Sequence, residues 1–257
     1  MGILDKLWSK KTTPTSPVLS GADKETLPVL PLITRMDHLR PPGIYTVPFL
    51  QHRGGETALN IAFTQEAGGA LYYLTEKDLE NPAINSQFLK WRENIDSYVF
   101  EPYLPQKLNL LENVQNRIVF AAGYHHSSEK ILSAVSLTEL CDILQTDQII
   151  VSIPRRGLLM ATSYDEEFMM LENFFFTHQD GWQNDNDGSE FITDLVFVAN
   201  KAGIMYAASL DFRINLYEQQ GSYKLSYSTT GELFEKDGTI NFRAVLERNK
   251  ISVELPV

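Results

Sequence analysis

Residues 148–163 read QIIVSIPRRGLLMATS, two apolar runs on either side of Pro154-Arg155-Arg156-Gly157. Proline presets the dihedral of a turn, and a glycine three places on can take the positive φ that ends it. QIIVS and GLLMA are therefore expected to be the strands of a tight hairpin. Neither run alternates polar with apolar residues, so both should be covered on both faces. Arg155 and Arg156 fall at the tip. The expectation is that the turn holds them out into water; the alternative is that they grip an anionic ligand.

Working outward, TALNIAF and ALYYLT read as strands, with Gly68 and Gly69 as the permissive turn between them. Prolines interrupt LPVLPLITR and PPGIYTVPFL, which confines strands there to sheet edges or short extended pieces. Residues 84–100 carry Phe88, Trp91, Ile95 and Val99 at intervals of three and four, which predicts one helix with one apolar face. NRIVFAAG reads as a strand leading into a second helix, capped by Ser127 or Ser128 and carrying Ile131, Leu132, Val135, Leu140 and Leu144. A third helix is expected over YDEEFMMLENFFFTHQ, with Asp165, Glu166 and Glu167 in its first turn, where the helix dipole favours negative charge. FITDLVFVAN, GIMYAASL, FRINLYE and YKLSYS then follow as strands, with turns at residues 200–203 and 219–221. Helices in the middle and strands at both flanks make the class α+β: a mixed or mainly antiparallel sheet with three main helices packed on it. Residues 27–257 are expected to form one domain, with a sub-boundary near residue 105.

The chain has 257 residues and a formal net charge of −11, which argues against a nucleic-acid partner because phosphate binding needs a basic field. A single cysteine excludes an internal disulfide and fits a reducing compartment, so the cytoplasm is the expected location. The start, MGILDKLWSKK, places Ile3, Leu4, Leu7 and Trp8 on one face of a short helix among lysines. Such a segment could rest weakly on an anionic membrane surface; a docked terminus is the plainer alternative. Residues 12–26 are rich in Pro, Ser and Thr and read as a flexible linker.

Candidate chemistry is sparse. Cys141 with His125, His126 or His178 is the nearest approach to a nucleophile and base, but Cys141 lies late in its helix beside Leu140 and Leu144, as a buried structural thiol would. YHHSSE, at a strand-to-helix junction, brings His125, His126, Ser127, Ser128 and Glu129 to helix amides that could hold an anion. The same letters read equally as a helix cap. Adjacent histidines diverge, so they form no metal pair. QNDNDGSEFITD has the flavour of a calcium loop but has Gln183 where an acidic first ligand is needed and Asp194 where a bidentate glutamate is needed. The block Met169-Met170-Leu171 with NFFF is apolar nearly all round, which reads as core, with a partner surface as the alternative. No cofactor or metal is expected.

Several of these stretches together resemble a family of bacterial proteins without an assigned activity, the YtpQ-like proteins. LPVLPLI is similar to an early segment of that family, and LYYLTEKDLEN followed by FLKWRENIDS is similar to its strand and helices, with Trp91 and Asn94 in the matching places. GYHHSSEKIL matches at Gly123, Tyr124, Ser128, Ile131 and Leu132, and IIVSIPRRGLLMA is similar to the family's VVAVP-x-x-D-x-L segment. The resemblance covers roughly residues 27–210 and implies a shared fold, but no catalytic residue or ligand. His125, His126 and Gly157 stand where the family tends to have an acidic residue, a small residue and an aspartate. The resulting expectation is a non-enzymatic protein-binding or regulatory module whose partner is another protein or a second copy. The rival is an enzyme or small anionic ligand-binding protein with a site at residues 123–129, using His125, His126, Ser127, Arg155 and Arg156.

Overall fold

The computed structural model describes residues 21–35, 43–51, 57–105, 116–183, 190–219, 222–229 and 240–255. Their centre is the expected hairpin: β6 (Gln148–Ser152) and β7 (Leu158–Ser163) pair antiparallel, with Val151 opposite Ala161. Around it lies a six-stranded sheet in the order β12-β9-β8-β6-β7-β5. Its other members are β5 (Val119–Ala122), β8 (Val196–Asn200), β9 (Gly203–Ala208) and β12 (Lys250–Ile251). Each of its strand pairs is antiparallel. Every residue of β7 is buried, as the unbroken apolar run requires.

The two faces of this sheet support two cores. Ile149, Val151, Ile153, Leu159, Phe197 and Ala199 face one, and Ile150, Leu158, Met160, Val196 and Val198 face the other. That division is the two-residue alternation of a pleated strand. The first core is closed by α5 (Ala134–Leu144) and by a second sheet of β1 (Leu30–Thr34), β2 (Thr46–Gln51), β3 (Thr57–Ala67) and β4 (Ala70–Tyr73). Phe49 of β2 stacks on Phe197 of β8, ring centroids 5.9 Å apart, so the two sheets meet directly. The second core is closed by α6 (Phe168–Gln183), α7 (Phe242–Arg248) and the ribbon β10 (Phe212–Gln219) with β11 (Ser222–Thr229). Met170, Leu171, Phe174 and Phe175 are buried there, while Phe176 is half-buried and Met169 exposed, so most of the apolar block is core.

In the second sheet, Thr64 pairs with both Leu30 and Tyr73, and Ala62 with both Leu32 and Thr46. β1 therefore occupies one edge of β3 while β4 and β2 lie end to end along the other. The proline rule holds here: Pro48 sits in an edge strand, at the point where the register of β2 slips.

The class is α+β, but the layout differs from expectation in five places. The strands form two sheets and a ribbon, and the described residues contain seven α-helices, of which α5 and α6 alone exceed seven residues. The helix predicted over 84–100 is two short ones, α3 (Pro82–Phe88) and α4 (Trp91–Ser97), with Leu89 and Lys90 between them. The stretch after β5 is a 3-10 turn over Ser128–Leu132, and Ser133, not Ser127 or Ser128, caps α5 by accepting the Ser136 amide. α6 begins at Phe168, so Asp165, Glu166 and Glu167 precede it; Arg117 Nε lies 3.2 Å from Glu166. Residues 21–26, read as linker, form α1 (Gly21–Thr26), and the Gln65 side chain donates to the carbonyls of Lys24 and Leu27. The amphipathic segment with Ile3, Leu4, Leu7 and Trp8 lies outside the described residues. Among the described residues no helix is long and apolar enough to cross a membrane.

The β3–β4 turn gives a clean test of backbone cost. Gly68 and Gly69 have φ of 59° and 78°, and a Cβ on Gly69 would meet no atom within 4 Å. Gly69→Ala should therefore lose only backbone energy, about 1 kcal/mol. That predicts a lower urea midpoint with an unchanged m value. An unaltered midpoint would show that the turn is not held in this geometry.

Candidate functional site

The hairpin tip does not reach water. Arg155 is 2% exposed and Arg156 9%, which corrects the expectation that the turn holds them out. The reason is that residues 190–192 run across the tip. Arg156 N–H donates to the Glu190 carbonyl at 2.8 Å and Ile192 N–H to the Pro154 carbonyl at 3.0 Å. Gly157 has the predicted positive φ, 71°. The Arg155 guanidinium lies 4.3 Å from the Phe191 ring centroid, and its Nε donates to the Gly181 carbonyl at the end of α6.

Arg156 pairs with two carboxylates. Its Nη1 meets Glu129 Oε1 and its Nη2 lies 3.2 Å from Glu190 Oε2. Glu129 is wholly buried in the 3-10 turn. It also accepts the Ile33 amide of β1 at 3.0 Å and the Ser128 hydroxyl at 2.7 Å, and Ser128 Oγ in turn accepts the Gly157 amide at 3.2 Å. Burial raises the Glu129 pKa, while Arg156, Ser128 and the Ile33 amide oppose that rise. The sequence-selected junction and the arginine turn are thus one cluster, and its charges are directed at each other.

The neighbouring residues are also engaged internally. His126 is buried and its Nδ1 lies 2.9 Å from the Pro31 carbonyl, while its ring packs edge-on to Tyr98. A carbonyl can only accept, so Nδ1 carries the proton. Ser127 is buried; His125 is exposed. Lys130 turns under α4 and donates to the Ile95 carbonyl at 2.6 Å, and burial brings its pKa down to about 8. Cys141 is wholly buried with its thiol pKa raised by burial, as a structural thiol should be. It does not meet His178. Cys141 belongs to the first core, whereas His178, on α6, bonds Ser152 Oγ through Nδ1 at 2.7 Å and the Asp194 carbonyl through Nε2 at 3.0 Å. The Asp194 carbonyl fixes the proton on Nε2, so Ser152 donates to Nδ1. This has the geometry of a serine–histidine dyad, but both groups are buried between sheet and helix. Residues 184–189 of the calcium-like stretch, Asp185, Asp187 and Gly188 among them, lie outside the described residues, and among the described residues no cluster of metal-binding side chains occurs.

Open apolar surface lies elsewhere. A groove of about 350 Å³ is lined by Tyr45 just before β2, Val47 and Pro48 of β2, Phe63 of β3, Phe88, Leu89 and Trp91 at the α3–α4 break, and Glu254 and Leu255. Its floor is an aromatic cluster: Phe63 meets Phe88 at 4.8 Å and Trp91 at 5.9 Å, and Tyr45 meets Phe88 at 5.5 Å. Leu89 is 73% exposed and Leu255 43%, so two aliphatic side chains stand in water at the rim. These residues come from four separate stretches, brought together by the β2–β3 pairing, the ring contacts of Phe88 and Trp91, and the bridge of Val253 to Leu50. One signal was legible: Leu89 is a large apolar residue off the Phe88-Trp91-Ile95 stripe.

Comparison with protein-family models, curated proteins and solved structures finds no match to the chain.

Two outcomes follow for the buried groups. Arg156→Met should cost about 3–5 kcal/mol by stranding the Glu129 carboxylate, and adding Glu129→Gln should recover part of that loss in urea titrations. If the single variant costs no more than a surface change, the pair is not buried as described. The second outcome concerns acid. Burial lowers the pKa of His126 and of His178 to about 4, while the unfolded chain titrates near 6.5. The unfolded state therefore binds more protons between these values, so stability is full above pH 6.5 and falls as pH drops toward 4, by up to a few kcal/mol per histidine. His178→Gln should shallow that slope by about one proton's worth. A slope unchanged in the variant would remove His178 from the account.

Proposed function

We propose that this chain is a cytoplasmic bacterial protein, related to the YtpQ-like proteins, that acts without catalysis by binding and regulating another protein. The observation that carries the reading is the aromatic groove beside β2, with Leu89 and Leu255 exposed at its rim. An exposed apolar patch continuous with a pocket of packed rings is a mark of protein-interaction surfaces. The acidic balance of the chain suits a neutral or basic partner.

The rival reading, a small anion held at residues 123–129, has less support. An anion there would have to displace a buried carboxylate from Arg156, and that carboxylate already has the Ile33 amide and the Ser128 hydroxyl as further donors. His125, which is exposed, would be the accessible remnant of such a site.

Affinity capture at moderate salt tests the proposal, with the full chain and its Leu89→Asp variant used side by side on a bacterial lysate. Leu89 is exposed enough for the substitution to leave the fold intact. A protein enriched by the wild type and reduced about tenfold or more by Leu89→Asp is the expected result. Equal enrichment by both, or none by either, would count against it.

A further inference from the structure

The groove runs along a sheet edge that already carries an extended piece of chain. Val253 bridges Leu50 of β2, and the Glu254 amide donates to the Phe49 carbonyl at 2.9 Å. Just before this, Lys250 and Ile251 pair with Ala208 and Ala207 of β9. Residues 250–255 therefore strap the edge of one sheet to the edge of the other. Continuing the Leu50–Val253 register sets Leu255 opposite Pro48, where it lines the groove.

The strap is held lightly compared with the strands it joins. Lys250, Ser252, Glu254 and Leu255 are exposed, Ile251 and Val253 only half-buried, and the pairing with β9 spans two residues. Under the same register Pro48 faces Leu255 as a non-hydrogen-bonded pair, so its missing amide does not interrupt the ladder on this side.

We propose that the β2 edge binds an extended segment of a partner protein by strand addition, with aliphatic side chains at alternate positions, and that residues 250–255 are the resident segment it displaces. The inference rests on the protein-binding reading above and names its mode. Strand addition draws affinity from the edge and specificity from pockets for alternate side chains. Val253 and Leu255, two residues apart, show the spacing that fits. Being tethered, the resident segment competes at an effective concentration of about millimolar, which makes the free edge a regulated site.

The test uses the full chain and a fluorescent peptide copying residues 250–255, KISVEL. Wild type should bind it weakly. Leu255→Asp, which loosens the resident segment, should bind it about tenfold more tightly. A composition-matched scramble should not bind, and adding Leu89→Asp should remove the gain. If Leu255→Asp proves unstable in thermal melts, amide exchange in wild type gives a second measurement. Excess KISVEL should then speed exchange at the Glu254 amide by freeing it from Phe49. No gain in affinity, equal binding of the scramble, or an unmoved Glu254 amide would overturn the inference. Dimerisation of Leu255→Asp without peptide uptake would also overturn it, because the occupant would then be a second copy. The two readings fail separately: if partner capture still depends on Leu89 while KISVEL does not bind, recognition at the groove stands and strand addition falls.

Discussion

A carboxylate taken out of water must find donors for both oxygens, and Glu129 finds them on three different parts of the chain. Ser128 is its neighbour, Ile33 belongs to the edge strand of the smaller sheet, and Arg156 sits in the turn of the central hairpin. An ion pair in this setting gains little over an apolar contact of the same size, since desolvation offsets most of the attraction. Its effect is on arrangement. Without Arg156 the buried charge is left uncompensated, and without the Ile33 amide or the Ser128 hydroxyl it loses a donor, so one carboxylate ties together β1, the 3-10 turn and the β6–β7 turn. The second core depends less on such a lock: its aromatic side chains, Phe175, Phe212 and Phe242, simply pack on one another.

The same cluster explains which parts of the fold could be read from sequence. The hairpin was legible because Pro154 and Gly157 encode the turn and the apolar runs encode double coverage, and both hold. The fate of the arginines was not legible. Nothing within QIIVSIPRRGLLMATS indicates that residues 190–192 will cross the tip or that a glutamate 27 positions away will arrive beneath it. Local rules describe how a strand turns, whereas burial depends on what lands on the turn. Ser133 follows the same logic in miniature: several serines could cap a helix, and the choice fell to the one placed where the 3-10 turn ends.

The helix predicted over residues 84–100 is the most instructive departure. Its apolar stripe is real, and Trp91 and Ile95 are buried as the periodicity requires. Continuing one helix to Val99 would have pressed a fourth apolar side chain against the core. Instead the chain breaks at Leu89–Lys90, α4 ends at Ser97, and Val99 is left 45% exposed. Lys130 closes that end of α4 by donating to the Ile95 carbonyl, so a buried amine replaces further helix.

That break also makes the groove. A single straight helix would have carried residue 89 along the same axis as residue 91. Two short helices instead turn Phe88 and Trp91 inward onto Phe63 and leave Leu89 at the rim. The opposite wall is the start of β2, where Val47 is half-buried and Pro48 exposed before Phe49 and Leu50 enter the core. A broken helix and a proline-bearing edge thus face each other across packed rings, with the light strap of residues 250–255 along one side. The polar groups of the 3-10 turn and the hairpin tip hold the two sheets together, and the apolar surface at the α3–α4 break stays open beside them.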